Sequence, residues 1–555
     1  MSTTVSLLLS VPLLFGIAGL CLMLPTTGVL AHFTLSRRWL VAQLAAHTAP
    51  LLTALAVGAY AVGSGAHVAH VALPGAGLLA QVFGGAPATL SVRGDALSLI
   101  MLALVTFVAL VITRFSQRYL AGEPGQLRYL RALLLIVTAV SLLVIANHLL
   151  LLAAAWSVSS IALHQLLTFY PDRPQALVAA HKKFLMSRVA DAALFAALLL
   201  LHRGFGTLEL DALAAHAQQG LPESLSIEAA GALLAFGVML RSAQLPFHGW
   251  LIQVMETPTP VSALLHAGIV NIGGFVLIRL SGLLPHLEVA QTLLVLGGAL
   301  TATVAALVMT TRVSVKVGLA WSTSAQMGFM LVECALGAFE LALLHLVAHS
   351  LYKAHAFLAS GRVVQASVAA RLRPHEDATS PARAVVALAL TLPSVFAADA
   401  LAGGGLASSP AGWAAGFIAA LALTPLLARV ELRRGLRTNA ALVGAAAAGL
   451  LLYLGLHAGF GLALPASAPR AVDAGSLLRL GLVAGLFAAA FGLHTWLVAA
   501  PAGRLSRRLF PMVFAGFYLD EIFTRLTFVI WPPRPLESAN HPSTLSGTTI
   551  VRSAA

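Results

Sequence analysis

Apolar runs long enough to cross a bilayer recur along almost the whole of this chain, and that recurrence limits its fold more than any motif does. A helix spanning the hydrocarbon needs roughly 20 apolar residues, and about fifteen such runs can be drawn in the sequence. They cover residues 5–24, 40–63, 95–113, 129–147, 149–169, 184–201, 229–251, 261–281, 288–310, 317–336, 340–361, 384–403, 411–428, 439–461 and 476–499. Inside lipid each backbone N–H and C=O must be satisfied by the segment itself, so runs of this length read as helices. The chain is 59% hydrophobic and 10% charged, with a mean hydropathy of +0.90, outside the range of soluble domains. The expected fold class is an all-α polytopic membrane protein with about 14–16 transmembrane helices. Residues 5–24 lack a basic leader and a small-residue cleavage site, which reads as a retained span and not a signal peptide.

A net charge of +13 over 555 residues would suit a nucleic-acid partner, but the basic residues fall in short loops between apolar runs, where they set orientation. Basic loops at 37–38, 114–131, 173–183, 312–316, 362–373, 429–437 and 504–508 alternate with neutral or acidic ones. Residues 204–228, for example, carry Glu209, Asp211, Glu223 and Glu228 beyond the last arginine, Arg203. Fifteen spans close this alternation with the N-terminus outside and the segment after the last span in the cytoplasm. Cys21 and Cys334 both lie in apolar runs and form no disulfide framework or metal knuckle. The sequence has no glycine-rich dinucleotide loop or Walker motif. Redox or ATP chemistry therefore belongs to another chain, and no cofactor or metal is expected in this one.

An ionisable group inside a bilayer costs at least a few kcal/mol, so such groups mark functional sites by default. The densest cluster is SAQLPFHGWLIQVMETPTPVSALLHAGIVNIGGFVLI at 242–278, preceded by Arg241 and containing Pro246, Glu256, His266 and Asn271. In HLVAHSLYKAH, His345, His349 and Lys353 recur every four residues and so share one helix face. Two imidazoles and an amine in line can relay protons. Two histidines at i and i+4 could also hold zinc, but no third ligand is near. Lys316 opens the preceding run, whose polar stripe is Ser322, Thr323, Ser324 and Gln326. Arg188 and Asp191 stand at i and i+3 and can pair with each other. Asp399 follows Pro393, and Arg241 precedes Pro246, so each of these spans couples an ionisable group to an expected helix break. Beyond Arg508 an apolar stretch crossed by Asp520, Glu521 and Arg525 reads as an interfacial or partner-contacting helix. The last twenty or so residues have a disordered composition.

Read in order, RGDALSLIMLALVTF, ANHLLLLAAAWSVS, KKFLMSRVADA, RSAQLPFHGWL, METPTPVSALLHAG, SVKVGLAWSTSAQMGFM and HLVAHSLYKAHAFLASG resemble successive landmarks of one family. It comprises the antiporter-like membrane subunits of respiratory complex I and of multisubunit sodium/proton antiporters. The resemblance spans residues 91–365 and implies a fourteen-helix core. In that core two inverted five-helix repeats contain broken helices, and a central axis of Lys, His and Glu conducts protons. Lys316, His345, His349 and Lys353 match axis positions, and His266 matches the family histidine that joins the halves. Arg241 stands where the family has its central lysine, and Ser157 where the family has the glutamate that pairs with it. An arginine stays charged at any accessible pH, so the first half-channel departs from the family pattern and the partner of Arg241 is left unidentified.

The domain layout expected is 1–128 for the N-terminal spans, 129–282 and 283–430 for the two half-channel repeats, 431–500 for C-terminal spans, and 501–555 for the interfacial helix and tail. The resemblance is strongest to the membrane subunit of an inorganic-carbon accumulation system in the bacterial inner membrane. It implies a zinc β-carbonic-anhydrase-like partner subunit and a proton or sodium gradient as the driving force. A sodium/proton antiporter subunit and a proton-pumping module of a respiratory or hydrogenase complex are the alternatives.

Overall fold

The computed structural model describes residues 67–72, 89–220, 224–362, 380–401, 404, 406–430, 435–462, 464 and 473–531. The first two expected spans and the final tail lie outside the described residues. Each of the other thirteen runs corresponds to a helix or a helix pair. These are α1 (Ala96–Tyr119), α2 (Gln126–Ile145), α3 (Leu149–Leu167), α4 (Pro174–Phe205), α6 (Leu225–Arg241) with α7 (Gly249–Gln253), and α8 (Thr259–Ala267) with α9 (Ile272–Arg279). They continue with α10 (Glu288–Met309), α11 (Val315–Ala335), α12 (Phe339–Leu358), α13 (Pro381–Leu401), α14 (Pro410–Leu427), α15 (Leu436–Gly461) and α16 (Ala474–Ala499). Nine segments among the described residues are long and apolar enough to cross a membrane, and the chain is a multi-pass, all-α membrane protein.

Short elements close the ends of the bundle. Strands β1 (His67–Ala72) and β2 (Thr89–Gly94) pair antiparallel, with His67 opposite Gly94, a hairpin that the uncharged loop composition did not announce. The Asn147 N–H donates to Ser91 O at 2.9 Å and the Leu210 N–H to Asn147 O at 2.8 Å, tying this hairpin to α5 (Leu210–Gln218). At the same end Arg279 Nη1 meets Asp95 Oδ2 at 2.7 Å, and Arg93 bridges Asp95 and Asp211. After α16 come the amphipathic α17 (Arg504–Phe514) and then α18 (Leu519–Ile530).

The 242–278 stretch folds as the centre of the molecule. Every residue of α8 and α9 is buried, which a lipid-facing helix could not be. Glycines let the neighbours approach: a Cβ at Gly273 would stand 2.1 Å from Ser242 Oγ, and one at Gly274 2.1 Å from Met330 Sδ. Likewise a Cβ at Gly328 on α11 would lie 2.5 Å from Gly298 O on α10, so these helices cross backbone to backbone, the usual small-residue contact in membranes.

The two expected helix breaks have different outcomes. Ahead of Pro246 the helix does stop. α6 ends at Arg241, Ala243 takes a left-handed φ of 51°, and α7 resumes at Gly249. The freed backbone finds partners on neighbouring helices: Leu245 N–H donates to Thr301 Oγ1 at 3.0 Å, and Ser324 Oγ–H to Ala243 O at 3.4 Å. Pro393, by contrast, sits inside a continuous α13. A proline removes one hydrogen bond from the ladder, and here the helix tolerates that loss. α13 runs on to Leu401, eight residues later, and beyond it Gly404 has φ 57°.

Candidate functional site

The sequence-predicted line on α12 forms as spaced. Lys353 is fully buried and His349 5% exposed, while His355, off that face, is exposed. Lys353 Nζ donates to Ser322 Oγ at 2.7 Å and to Leu319 O at 3.3 Å, so the polar stripe of α11 is what solvates it. One turn earlier on α11, Lys316 Nζ donates to Thr259 Oγ1 at 3.0 Å. That bond joins the start of this line to the TPTP segment that opens α8. His266 on α8 is fully buried and stacks on Phe357, one turn beyond Lys353, with ring centroids 4.4 Å apart. Asn271 Nδ2 donates to Ser350 Oγ at 2.7 Å, beside a cavity of about 40 Å³ that these two polar groups share with apolar neighbours. A space of that size holds a water molecule where polar groups line it.

At the other end the line finishes on a residue the sequence reading did not single out. His345 Nδ1 lies 2.8 Å from Glu333 Oε2. Glu333, near the end of α11, lines a cavity of about 250 Å³ with Leu341, Leu423 and Tyr453. Glu333 escaped notice because it is a single carboxylate in an apolar run, with its histidine partner on the next helix. Tyr453 is within electrostatic reach of both Glu333 and Asp399. Asp399, 7% exposed, accepts from Leu406 N–H at 3.0 Å, so it also braces the turn after α13. Lys316, Lys353, His349, His345 and Glu333 thus form a chain of ionisable groups along α11 and α12. Between Lys353 and His345 alone, eight residues of helix cover about 12 Å.

The second cluster lies between α3, α4 and α6 and answers the question of Arg241. Its guanidinium Nη2 bonds Asp191 Oδ1, and it lies over the Trp156 ring, 4.5 Å from the centroid. Arg188 Nη2 forms an ion pair with Asp191 Oδ2 at 2.8 Å, and Ser157 Oγ–H donates to Oδ1 at 2.7 Å. The carboxylate that Ser157 does not supply therefore comes from α4, and Ser157 orients it. Lys183, 4% exposed, points to Ser160, donating to its Oγ at 2.7 Å. Arg188 does pair with Asp191, as their spacing allows, but Asp191 is shared with Arg241, a contact between helices that spacing along one helix cannot reveal.

Of the tail residues, Asp520 bonds within this chain: Lys182 Nζ donates to Oδ2 at 2.8 Å and Gln253 Nε2 to the same oxygen at 2.8 Å. Glu521 and Arg525 are exposed on α18.

Comparison with known proteins agrees with this architecture. Residues 146–428 match the family described as NADH:quinone oxidoreductase/Mrp antiporter, transmembrane region. Residues 81–130 match the N-terminus of complex I chain 5. A protein of Hydrogenovibrio crunogenus described as a probable inorganic carbon transporter subunit DabB is 41% identical over 79% of this chain and 83% of its own. The probable subunit DabB2 of Halothiobacillus neapolitanus is 40% identical over 80% and 81%. Among solved structures, a chain of the Mrp complex from Dietzia shares the fold with a TM-score of 0.55 at 21% identity, covering 95% of this chain and 55% of the other. An archaeal membrane-bound sulfane sulfur reductase matches at a TM-score of 0.54 and 18% identity, over 93% and 99%. The chain belongs to the antiporter-like membrane-subunit family of NADH:quinone oxidoreductases and Mrp antiporters, and within it to the DabB subunits.

Proposed function

We propose that this chain conducts protons across a bacterial inner membrane through Lys316, Lys353, His349, His345 and Glu333, with His266 coupling the two halves and Asp399 bracing the outer end. The proton flow drives inorganic-carbon accumulation by a DabA-like, zinc carbonic-anhydrase-type partner subunit, which holds the zinc and performs the hydration chemistry. The observation that carries this reading is the series of ionisable groups on α11 and α12, of which Lys353, His349 and Glu333 are buried, ending at the Glu333 cavity. Groups so costly to bury in a membrane are retained for what they do. Lysine and histidine can each give up and regain a proton, which a fixed arginine cannot. The DabB relatives support the substrate class.

The test is growth in air of a cell lacking its own carbonic anhydrase and expressing this chain with its partner. Lys353→Met, which keeps the bulk and removes the charge, is expected to abolish rescue while the complex still co-purifies. Undiminished rescue refutes proton conduction through this line. Rescue that follows an imposed sodium gradient and ignores a proton gradient identifies sodium as the ion.

A further inference from the structure

The last helix among the described residues, α18, places Asp520 against a buried lysine more than three hundred residues earlier. Lys182 on α4 has a fully buried side chain, whereas that of Asp520 is 24% exposed. Lys182 Nζ donates to both carboxylate oxygens, at 3.0 and 2.8 Å, and to Thr524 Oγ1 at 2.5 Å. Asp520 is seated at the start of α7, just beyond the helix break. A Cβ at Gly249 would stand 1.5 Å from Asp520 Oδ1, so the glycine is what admits the carboxylate. Apolar contacts hold the helix there. Phe523 meets Phe247 edge-on with centroids 5.8 Å apart, and Trp531, just past the helix end, stacks on His181 at 3.8 Å and 9°.

We propose that Asp520 and Lys182 form the proton-admitting mouth of the first half of the molecule, with α18 supplying the acceptor carboxylate. This rests on the reading that the chain conducts protons. Arg241 is held by Asp191 and stays charged, so it cannot load and release a proton. Lys182, one residue before the inward-turned Lys183, is a buried amine, and its partner carboxylate is in reach of water. A proton from water forms an O–H bond on Asp520 and ends the ion pair. Lys182, left as a buried ammonium without a counter-charge, releases one N–H proton to a water molecule on the protein-interior side of the pair, away from Asp520. The resulting amine retakes the proton from Asp520, and both groups return to their starting charges with one proton passed.

The assay is uptake of labelled inorganic carbon by cells carrying the assembled complex. Asp520→Asn keeps the size of the side chain and an oxygen for Lys182 but cannot take a proton. Uptake is expected to fall tenfold or more with the amount of co-purified complex unchanged, and Asp520→Glu is expected to recover part of it. Gly249→Ala, which fills the seat without altering any charge, is expected to give a comparable loss. Native uptake in Asp520→Asn overturns the proposal, and so does a loss that only follows a fall in assembled complex, which makes α18 an anchor. Lys353→Met run in parallel separates the two readings: loss there with native uptake in Asp520→Asn overturns the mouth alone. Native uptake in both overturns conduction as well.

Discussion

Asp191 is shared by two arginines and a serine, and that sharing sets what each substitution near it does. Removing one partner of a buried ion pair leaves an uncompensated charge, which typically costs about 3–5 kcal/mol. Asp191→Asn, which strips Arg241 and Arg188 of their carboxylate, is therefore expected to lower the thermal unfolding midpoint of the detergent-purified complex. Ser157→Ala removes one hydrogen bond and is expected to cost about 1 kcal/mol. Arg241→Lys keeps the pairing but introduces a group that can release its proton, so the transport rate should change; an unaltered rate refutes a role for the fixed charge. Glu333→Gln is expected to slow transport by on the order of tenfold or more, since positioned proton-transfer groups contribute at least that much where they act. The histidines and lysine of α12 were readable because helical periodicity puts every fourth residue on one face. Glu333 was not paired with His345, nor Asp191 with Arg241 and Ser157, because these contacts cross helix interfaces for which no spacing along the chain provides a rule.

Whether a glycine or a proline matters depends on what the neighbouring helix presents. Gly328 faces the α10 backbone, with Gly298 O and Ala302 N both within 2.7 Å of a Cβ placed there. Gly444 on α15 has nothing within 4 Å. Gly328→Ala is expected to destabilise by about 1–3 kcal/mol through overpacking. Gly444→Ala is expected to be neutral or to stabilise by about 0.4–1 kcal/mol through the unfolded chain. Thermal unfolding of the two purified variants checks the pair, and equal midpoints contradict the α10–α11 contact. The same contrast separates the prolines. Near Pro246 the break is completed by Thr301 and Ser324 donating to or accepting from the freed backbone. At Pro393 the helix stays whole and runs on to Leu401.

Over the whole molecule, the helix order in the described residues agrees with the alternation of basic and acidic loops. The positive-inside expectation assigns residues 312–316 and Lys182 with Asp520 to the cytoplasmic side, and Arg93, Asp95 and Asp211 to the outer side. In a variant lacking Cys21 and Cys334, Val313→Cys at 92% exposure is expected to react with a thiol reagent only from the cytoplasm. Leu225→Cys at 89% exposure should react only from outside. The opposite pattern inverts the topology. Sequence alone determined the helical class, the span positions among the described residues, and the shared face of His345, His349 and Lys353, because hydrocarbon thickness and helical period are local properties. It also marked 242–278 as the most specific stretch, though not that its α8 and α9 are buried on every side. Which carboxylate answers Arg241, where the line of ionisable groups on α11 and α12 ends, which proline interrupts a helix, and where Asp520 is seated were decided only by the tertiary structure. Each of these is a contact between segments far apart in the chain, fixed by packing that no local pattern encodes.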